Sequence, residues 1–257
     1  MIMKKIKNII EKNNSLACVG LDSDLNKLPV HLKKMALPQF EFNKAIIDAT
    51  ADLVCGYKPN TAFYEAQGEQ GLRELQMTCN YIKEKYPDLL LIIDAKRADI
   101  GNTNSGYVKF VFDYLGADII TLHPYLGQEA LSPFLDRVDK GSAILCRTSN
   151  IGSGEFQDLK INDQHLFEVV AEKVISEWNR NENCLLVVGA TYPEEMEKIR
   201  SKTDAMFFLV PGIGTQGGDL VKTLTAGFNS EKSGLIISSS RGIIFADSTN
   251  NFATTAR

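Results

Sequence analysis

The stretch Asp94-Ala-Lys96-Arg-Ala-Asp99 follows directly on the apolar run 89–93. It places an acid, a base and a second acid where a buried strand has just ended. Asp94 and Lys96 are separated by one residue, so on an extended strand they face the same side. An ammonium held among carboxylates keeps its proton. That disfavours a Schiff-base lysine, which needs a depressed pKa. It suits a general acid, or a cation set opposite a developing carbanion. Lys58 closes another apolar run and can join the same network. Asp99 lies three residues past Lys96, where it can act in its own site or project across an interface. The plainer alternative is a salt-bridge cluster that fixes a loop; four ionic groups at neighbouring strand ends argue for chemistry instead.

A second group of residues has the character of an anion site. "PGIGTQGGD" (211–219) and "SSSRG" (238–242) follow the last two apolar runs. Glycines let backbone N–H groups converge on an anion, and Arg241 offers a fork of donors to phosphate oxygens. Gly212, Gly214 and Gly217 match the spacing of a dinucleotide fingerprint. That reading fails because the fingerprint belongs after a first strand, with an acid at the end of the next, whereas the next run here ends in "SSSR". The four glycines 212, 214, 217 and 218 also make this loop a candidate lid.

These residues must be positioned by something regular. Eight apolar runs occupy 15–22, 51–58, 89–96, 117–124, 142–149, 184–191, 205–212 and 234–241. Near-continuous hydrophobicity over so few residues fits parallel strands covered on both faces. Helical spacing separates them. The stripe through Leu166, Phe167, Val170, Ala171, Val174, Ile175 and Trp178 predicts a helix over 163–180 capped by Asp163, and Pro193 opens another. Eight such units in about 250 residues predict a single-domain (β/α)8 TIM barrel, an α/β fold with its active site at the C-terminal strand ends. The domain is expected to span residues 1–257, N-terminal helix included. The mouth would then gather Asp22, Lys58, Asp94, Lys96, His123, Thr148, Ser149, Thr191, Gly212 and Arg241.

Composition excludes several classes. A formal net charge of −4 argues against a nucleic-acid partner. No apolar window is long enough to span a bilayer, so no membrane partner is expected. Five cysteines lie in apolar or helical patterns and read as buried thiols of a reducing cytoplasm. The three histidines lack metal-ligand spacing, so no metal is expected.

"DAKRADIGNT", "PGIGTQGGD" and "SSSRGI" together resemble the orotidine 5′-phosphate decarboxylase family. "GLDSD", "GYKPNTAFYEAQG", "TLHPYLG" and "CRTSN" resemble its longer bacterial-type branch, from about Ala17 to the last strand. Ile151 departs from the pattern, since a proline is common there. The resemblance implies a cofactor-free homodimer of barrels that converts orotidine 5′-phosphate to UMP and carbon dioxide in pyrimidine synthesis. It implies Lys96 as proton donor to C6, with Lys58, Asp94 and the partner's Asp99 completing the charge network. It implies Asp22 and Asn60 on the ribose, with Ile100 and Thr103 of the partner loop beside it. Ser149 or Thr148 would read the pyrimidine amide, and Pro211, Gln216, Ser240 and Arg241 would surround the phosphate. A magnesium-dependent sugar-phosphate enzyme on the same barrel would want a carboxylate where Lys58 stands. A non-catalytic nucleotide sensor would leave the Asp94/Lys96/Asp99 cluster without a purpose.

Overall fold

The computed structural model describes residues 1–214 and 217–257. Eight strands form the sheet: β1 (Ala17–Gly20), β2 (Gly56–Lys58), β3 (Leu90–Arg97), β4 (Ile119–Leu122), β5 (Gly141–Arg147), β6 (Cys184–Val188), β7 (Phe208–Pro211) and β8 (Leu235–Ser239). They close in the order β1-β8-β7-β6-β5-β4-β3-β2, the barrel that the eight runs predict. The pairings β1–β2, β2–β3, β5–β6, β6–β7 and β7–β8 are all parallel. Every residue of β4 and β6 is buried, which is why these segments carry no polar alternation. No helix among the described residues is long and apolar enough to cross a membrane.

The chain divides into two compact units. One comprises residues 4–95, 108–120 and 239–257. In it the helix Pro38–Thr50 carries Phe42, which stacks on Phe245 at 5.6 Å and on Phe252 at 5.1 Å. These rings dock the C-terminal residues. A buried polar network joins Ser23, Asn43, Tyr64 and Thr78. At the N-terminal end of β3, the buried Asp118 carboxylate accepts from Lys5 at 2.7 Å and from the Leu91 N–H at 2.9 Å.

The other unit comprises residues 1–3, 96–107 and 121–238. Its helix Pro193–Lys202 opens on proline, with Glu194 and Glu195 in the first turn, as expected from sequence. The expected helix over 163–180 starts later and changes pitch. Lys160–Ile161 and Gln164–His165 form a small antiparallel pair, and Asn162 turns through φ 56° between them. Asp163 is therefore a turn residue and not the cap. The helix begins at Leu166, where the Glu168 carboxylate accepts the His165 N–H at 3.1 Å. A π-helical turn over Val174–Trp178 ends it. Phe167, Ala171, Val174 and Trp178 are the part of the stripe that reaches the core.

All five cysteines are buried free thiols. Burial pushes Cys18, Cys79 and Cys184 up to about 12, and Cys55 and Cys146 upward as well.

Candidate active site

The first unit brings Lys58, Asn60 and Asp94 together. Past the β2–β3 ladder, Asp94 N–H donates to Pro59 O at 3.0 Å and Thr61 N–H to Asp94 O at 3.2 Å, so the ends of the two strands stay in step. Lys58 Nζ reaches Asp94 Oδ2 at 3.0 Å, and Asn60 Nδ2 lies 3.4 Å from the same oxygen. Lys58 and Asp94 are 5% and 9% exposed, so this ion pair is desolvated. Burial alone would drive the lysine toward its neutral form. The Asp94 and Asp22 carboxylates outweigh that and raise its pKa, which makes Lys58 a fixed cation. Removing one partner would strand a buried charge, a loss of about 3–5 kcal/mol.

Asp22 follows β1. Its Oδ1 is shielded from solvent and receives no hydrogen bond from any described residue. A buried carboxylate oxygen in that condition can accept from a ligand hydroxyl. Ser240 lies against the end of β1: a Cβ on Gly20 would fall 1.8 Å from Ser240 Oγ, so only glycine fits there. Arg241 is exposed at the start of the short helix Arg241–Ile244.

The second unit holds Lys96, Asp99, Ile100, Thr103, Ser149 and Pro211. Lys96 has φ 45°, while the other non-glycine residues with positive φ (Asn14, Asn162, Glu182 and Lys232) lie between elements. A left-handed backbone costs a non-glycine residue about 1–2 kcal/mol and persists only where surroundings hold it. This torsion interrupts the extended geometry near the end of β3, so period-two spacing alone does not set the direction of this side chain. The Lys96 N–H donates to Thr121 Oγ1 at 3.0 Å.

Asn104 organises the loop after β3. Fully buried, it accepts the Asp99 N–H at 2.8 Å and donates to the carbonyls of Asp99 and Ala130. Asp99 Oδ1 in turn accepts the Ile100 N–H at 2.7 Å. Ile100 and Thr103 stand exposed at the start of the helix Gly101–Val108.

Thr148 and Ser149 leave β5 on a loop anchored by Arg147. That guanidinium is 2% exposed, pairs with Glu195 and Asp158, and lies 4.0 Å over the Tyr192 ring. Gln157 accepts the Thr148 N–H at 2.9 Å and donates to Thr148 Oγ1 at 2.8 Å. Thr148 Oγ1 also donates to Asn150 Oδ1 at 2.7 Å, so the threonine is committed to holding the loop. Ser149 packs on Gly189, where a Cβ would lie 2.8 Å from the serine nitrogen; the close approach requires glycine. After β7, Gly212, Gly214 and Gly217 take positive φ, and the Gly218 N–H returns to Gly212 O at 3.0 Å. Gln216 lies outside the described residues.

Thr121, Asn104, Arg147 and Gln157 escape a sequence reading. Their partners lie five to 48 residues away, and only a polar type inside an apolar run marks Thr121. One unit offers a fixed internal cation on a carboxylate and an unsatisfied carboxylate oxygen that can accept from a hydroxyl. The other offers an ammonium on a strained strand end, which can donate a proton, and a glycine-rich loop whose N–H groups can face an anion.

Comparison with known proteins points to one family. A family model described as orotidine 5′-phosphate decarboxylase / HUMPS family matches residues 16–255. The orotidine 5′-phosphate decarboxylase of Cellvibrio japonicus is 47% identical over 257 residues, covering 99% of this chain and 93% of that protein. Its counterpart in Dehalococcoides mccartyi is 50% identical over 255 residues, covering 98% and 91%. The solved structure of Leishmania donovani OMP decarboxylase has a TM-score of 0.86 at 35% identity, covering 99% of this chain and 94% of that one. With a closed eight-stranded barrel, an internal lysine–aspartate pair and relatives matched over nearly their full length, this chain belongs to the orotidine 5′-phosphate decarboxylase / HUMPS family of enzymes.

Proposed function

We propose that this chain converts orotidine 5′-phosphate to UMP and carbon dioxide, the last step of de novo pyrimidine nucleotide synthesis, in the cytoplasm. The observation that carries the reading is the buried Lys58–Asp94 pair two residues before Lys96. The C6–carboxylate bond breaks, its electron pair stays on C6, and CO2 departs. Lys96 Nζ then donates a proton to C6. A protonated amine opposite the developing carbanion stabilises the transition state more than the ground state, which is what raises kcat. Lys58 pairs with Asp94, and Asp99 of the partner subunit completes the alternation of charge.

Asp22 and Asn60 would take the ribose hydroxyls; the unsatisfied Asp22 oxygen supports this. Ser149 reads the pyrimidine amide, as the family resemblance implies, and Thr148 holds the loop through Gln157 and Asn150. Pro211, Gln216, Ser240 and Arg241 surround the phosphate. The active form is a homodimer. Supporting this, Ile100, Tyr125 and Ile151 stand 62%, 85% and 101% exposed on the loops after β3, β4 and β5, where a second copy would cover them and bring Ile100 and Thr103 to its neighbour's ribose.

A metal-dependent sugar-phosphate activity on the same barrel is disfavoured by the Lys58 cation, since a carboxylate is what a metal would need there. Turnover of orotidine 5′-phosphate should be undiminished in excess EDTA. Loss of activity restored by magnesium would overturn the proposal, and binding without turnover would make the chain a sensor.

Arg241→Ala should lower kcat/KM for the nucleotide by about a hundredfold or more, because binding energy at the phosphate also organises the reacting end. Orotidine, which lacks the phosphate, should suffer little. Equal losses for both substrates would show that Arg241 does not contact the phosphate.

A further inference from the structure

We propose that Tyr64 and Gln39 are positioning residues for substrate recognition: they clamp the backbone on either side of Asp22 and tie it to the turn that follows Asn60. The inference rests on the reading that Asp22 and Asn60 take the ribose hydroxyls. All the groups involved belong to one compact unit. The Tyr64 hydroxyl donates to the carbonyl of Leu21, the residue before Asp22, at 2.8 Å. Gln39 Nε2 donates to the carbonyl of Ser23, the residue after it, at 2.7 Å, and to Phe63 O at 3.0 Å. Phe63 and Tyr64 lie in the helical turn Ala62–Glu65, and Asn60 Oδ1 accepts the Ala62 N–H at 3.1 Å. Two side chains thus fix the Asp22 backbone against the segment that carries Asn60.

The direction of each bond follows from its neighbours. Ser23 Oγ donates to Asn43 Oδ1 at 2.5 Å, which leaves the Asn43 amide nitrogen to donate to the Tyr64 oxygen at 2.8 Å. The tyrosine keeps one proton to give, and Leu21 O is closer to it than Ser23 Oγ at 3.2 Å. Gln39 turned about would set its oxygen against two carbonyl oxygens, so its amide has one orientation. Its own Oε1 is buried and receives no hydrogen bond from any described residue. That orphan is a cost, and the two bonds from Nε2 are what offset it. Ser23, Gln39, Asn43 and Tyr64 are all fully buried, so solvent does not stand ready to replace a lost bond. Asp22 Oδ1 is the shielded acceptor between the two clamped carbonyls. A bond from a hydroxyl to a carboxylate is short and weakens steeply with misalignment, so a shift of the Asp22 backbone is felt at the ribose.

The measurement is the Kd of UMP against those of 2′-deoxy-UMP and 3′-deoxy-UMP. Wild type should favour UMP over the weaker of the two analogues by about tenfold or more, since the analogue lacks a hydroxyl bonded to a charged group. Tyr64→Phe keeps the ring and removes the donor, and Gln39→Met keeps the chain length and removes both bonds. In each variant that preference should shrink by about fivefold or more through weaker UMP binding, with the analogue held within about threefold of wild type. Thr78→Val is the control. Thr78 belongs to the same buried network through Asn43 but touches neither carbonyl beside Asp22, so its variant should keep the wild-type preference. A packing role would weaken all three ligands alike and would not separate Thr78 from Tyr64. Should either Tyr64→Phe or Gln39→Met fail to fold, the other provides the same contrast. A wild-type preference in the folded variants, or an equal loss in Thr78→Val, would overturn the inference. Asp22→Ala measured in parallel separates the two levels. If it abolishes the preference while the Tyr64 and Gln39 variants retain it, only the positioning role fails; if it leaves the preference intact, the ribose reading fails and this inference with it.

Discussion

Lys96→Ala is expected to lower kcat by about 10⁴-fold or more while UMP binding stays measurable, because on the proposed reading this change removes both the acid and the cation at the reacting carbon. The contacts proposed for ribose and phosphate come from β1, β2, β7 and β8, so affinity for the product should survive. That pattern, kcat lost with binding retained, marks an interaction made only in the transition state. Single-turnover measurement of CO2 release alongside UMP titration would establish it. Retention of even a tenth of wild-type kcat would remove Lys96 from its role. The comparison is clean because alanine at 96 leaves the buried Lys58–Asp94 pair in place, so the variant should fold.

A second large effect concerns Asp99. Its backbone is pinned by Asn104, and the next residue, Ile100, is exposed and apolar. A carboxylate so placed is well fitted to project into a neighbouring subunit. Lys96→Ala and Asp99→Ala chains, each nearly inactive alone, should recover activity when unfolded together and refolded at equal concentration. A mixed dimer contains one site with both residues intact and one with neither. Random pairing makes about half the dimers mixed, so about a quarter of all sites should work. If both residues served one chain, no pairing would rebuild a complete site. Recovery near zero, with exchange confirmed by differently tagged chains, would return Asp99 to a loop-fixing role.

Much of this fold is written in runs of hydrophobicity. Strands buried on both faces leave no other trace, and each of the eight runs overlaps a strand of the barrel. The run 51–58 shows the limit of that signal: its first half ends a helix and turns, and the strand is only Gly56–Lys58. Those residues are apolar because they pack in the core, which hydrophobicity reports regardless of backbone geometry. The hairpin at 160–165 is exposed or half-buried and too short to carry a period, so it was illegible. Within the candidate site, the ionic residues announced themselves by standing where strands end. Their supports did not. The torsion at Lys96 is a property of three-dimensional surroundings, and Thr121, Asn104 and Gln157 acquire their meaning only from partners distant in sequence. The choice between Thr148 and Ser149 is open on sequence alone, and the bonds that tie Thr148 to Gln157 and Asn150 are visible only in the fold.

The buried thiols carry a consequence for how the molecule can be observed. Cys18, Cys55 and Cys79 sit in one compact unit and Cys146 and Cys184 in the other, all shielded and all held in the unreactive protonated form. A thiol must become a thiolate and meet solvent before it reacts. Alkylation of the native protein is therefore gated by opening of the backbone around each cysteine, and its rate at each position reads the free energy of that local opening. The chain carries five built-in clocks for its own breathing, three in one compact unit and two in the other, with no label to engineer.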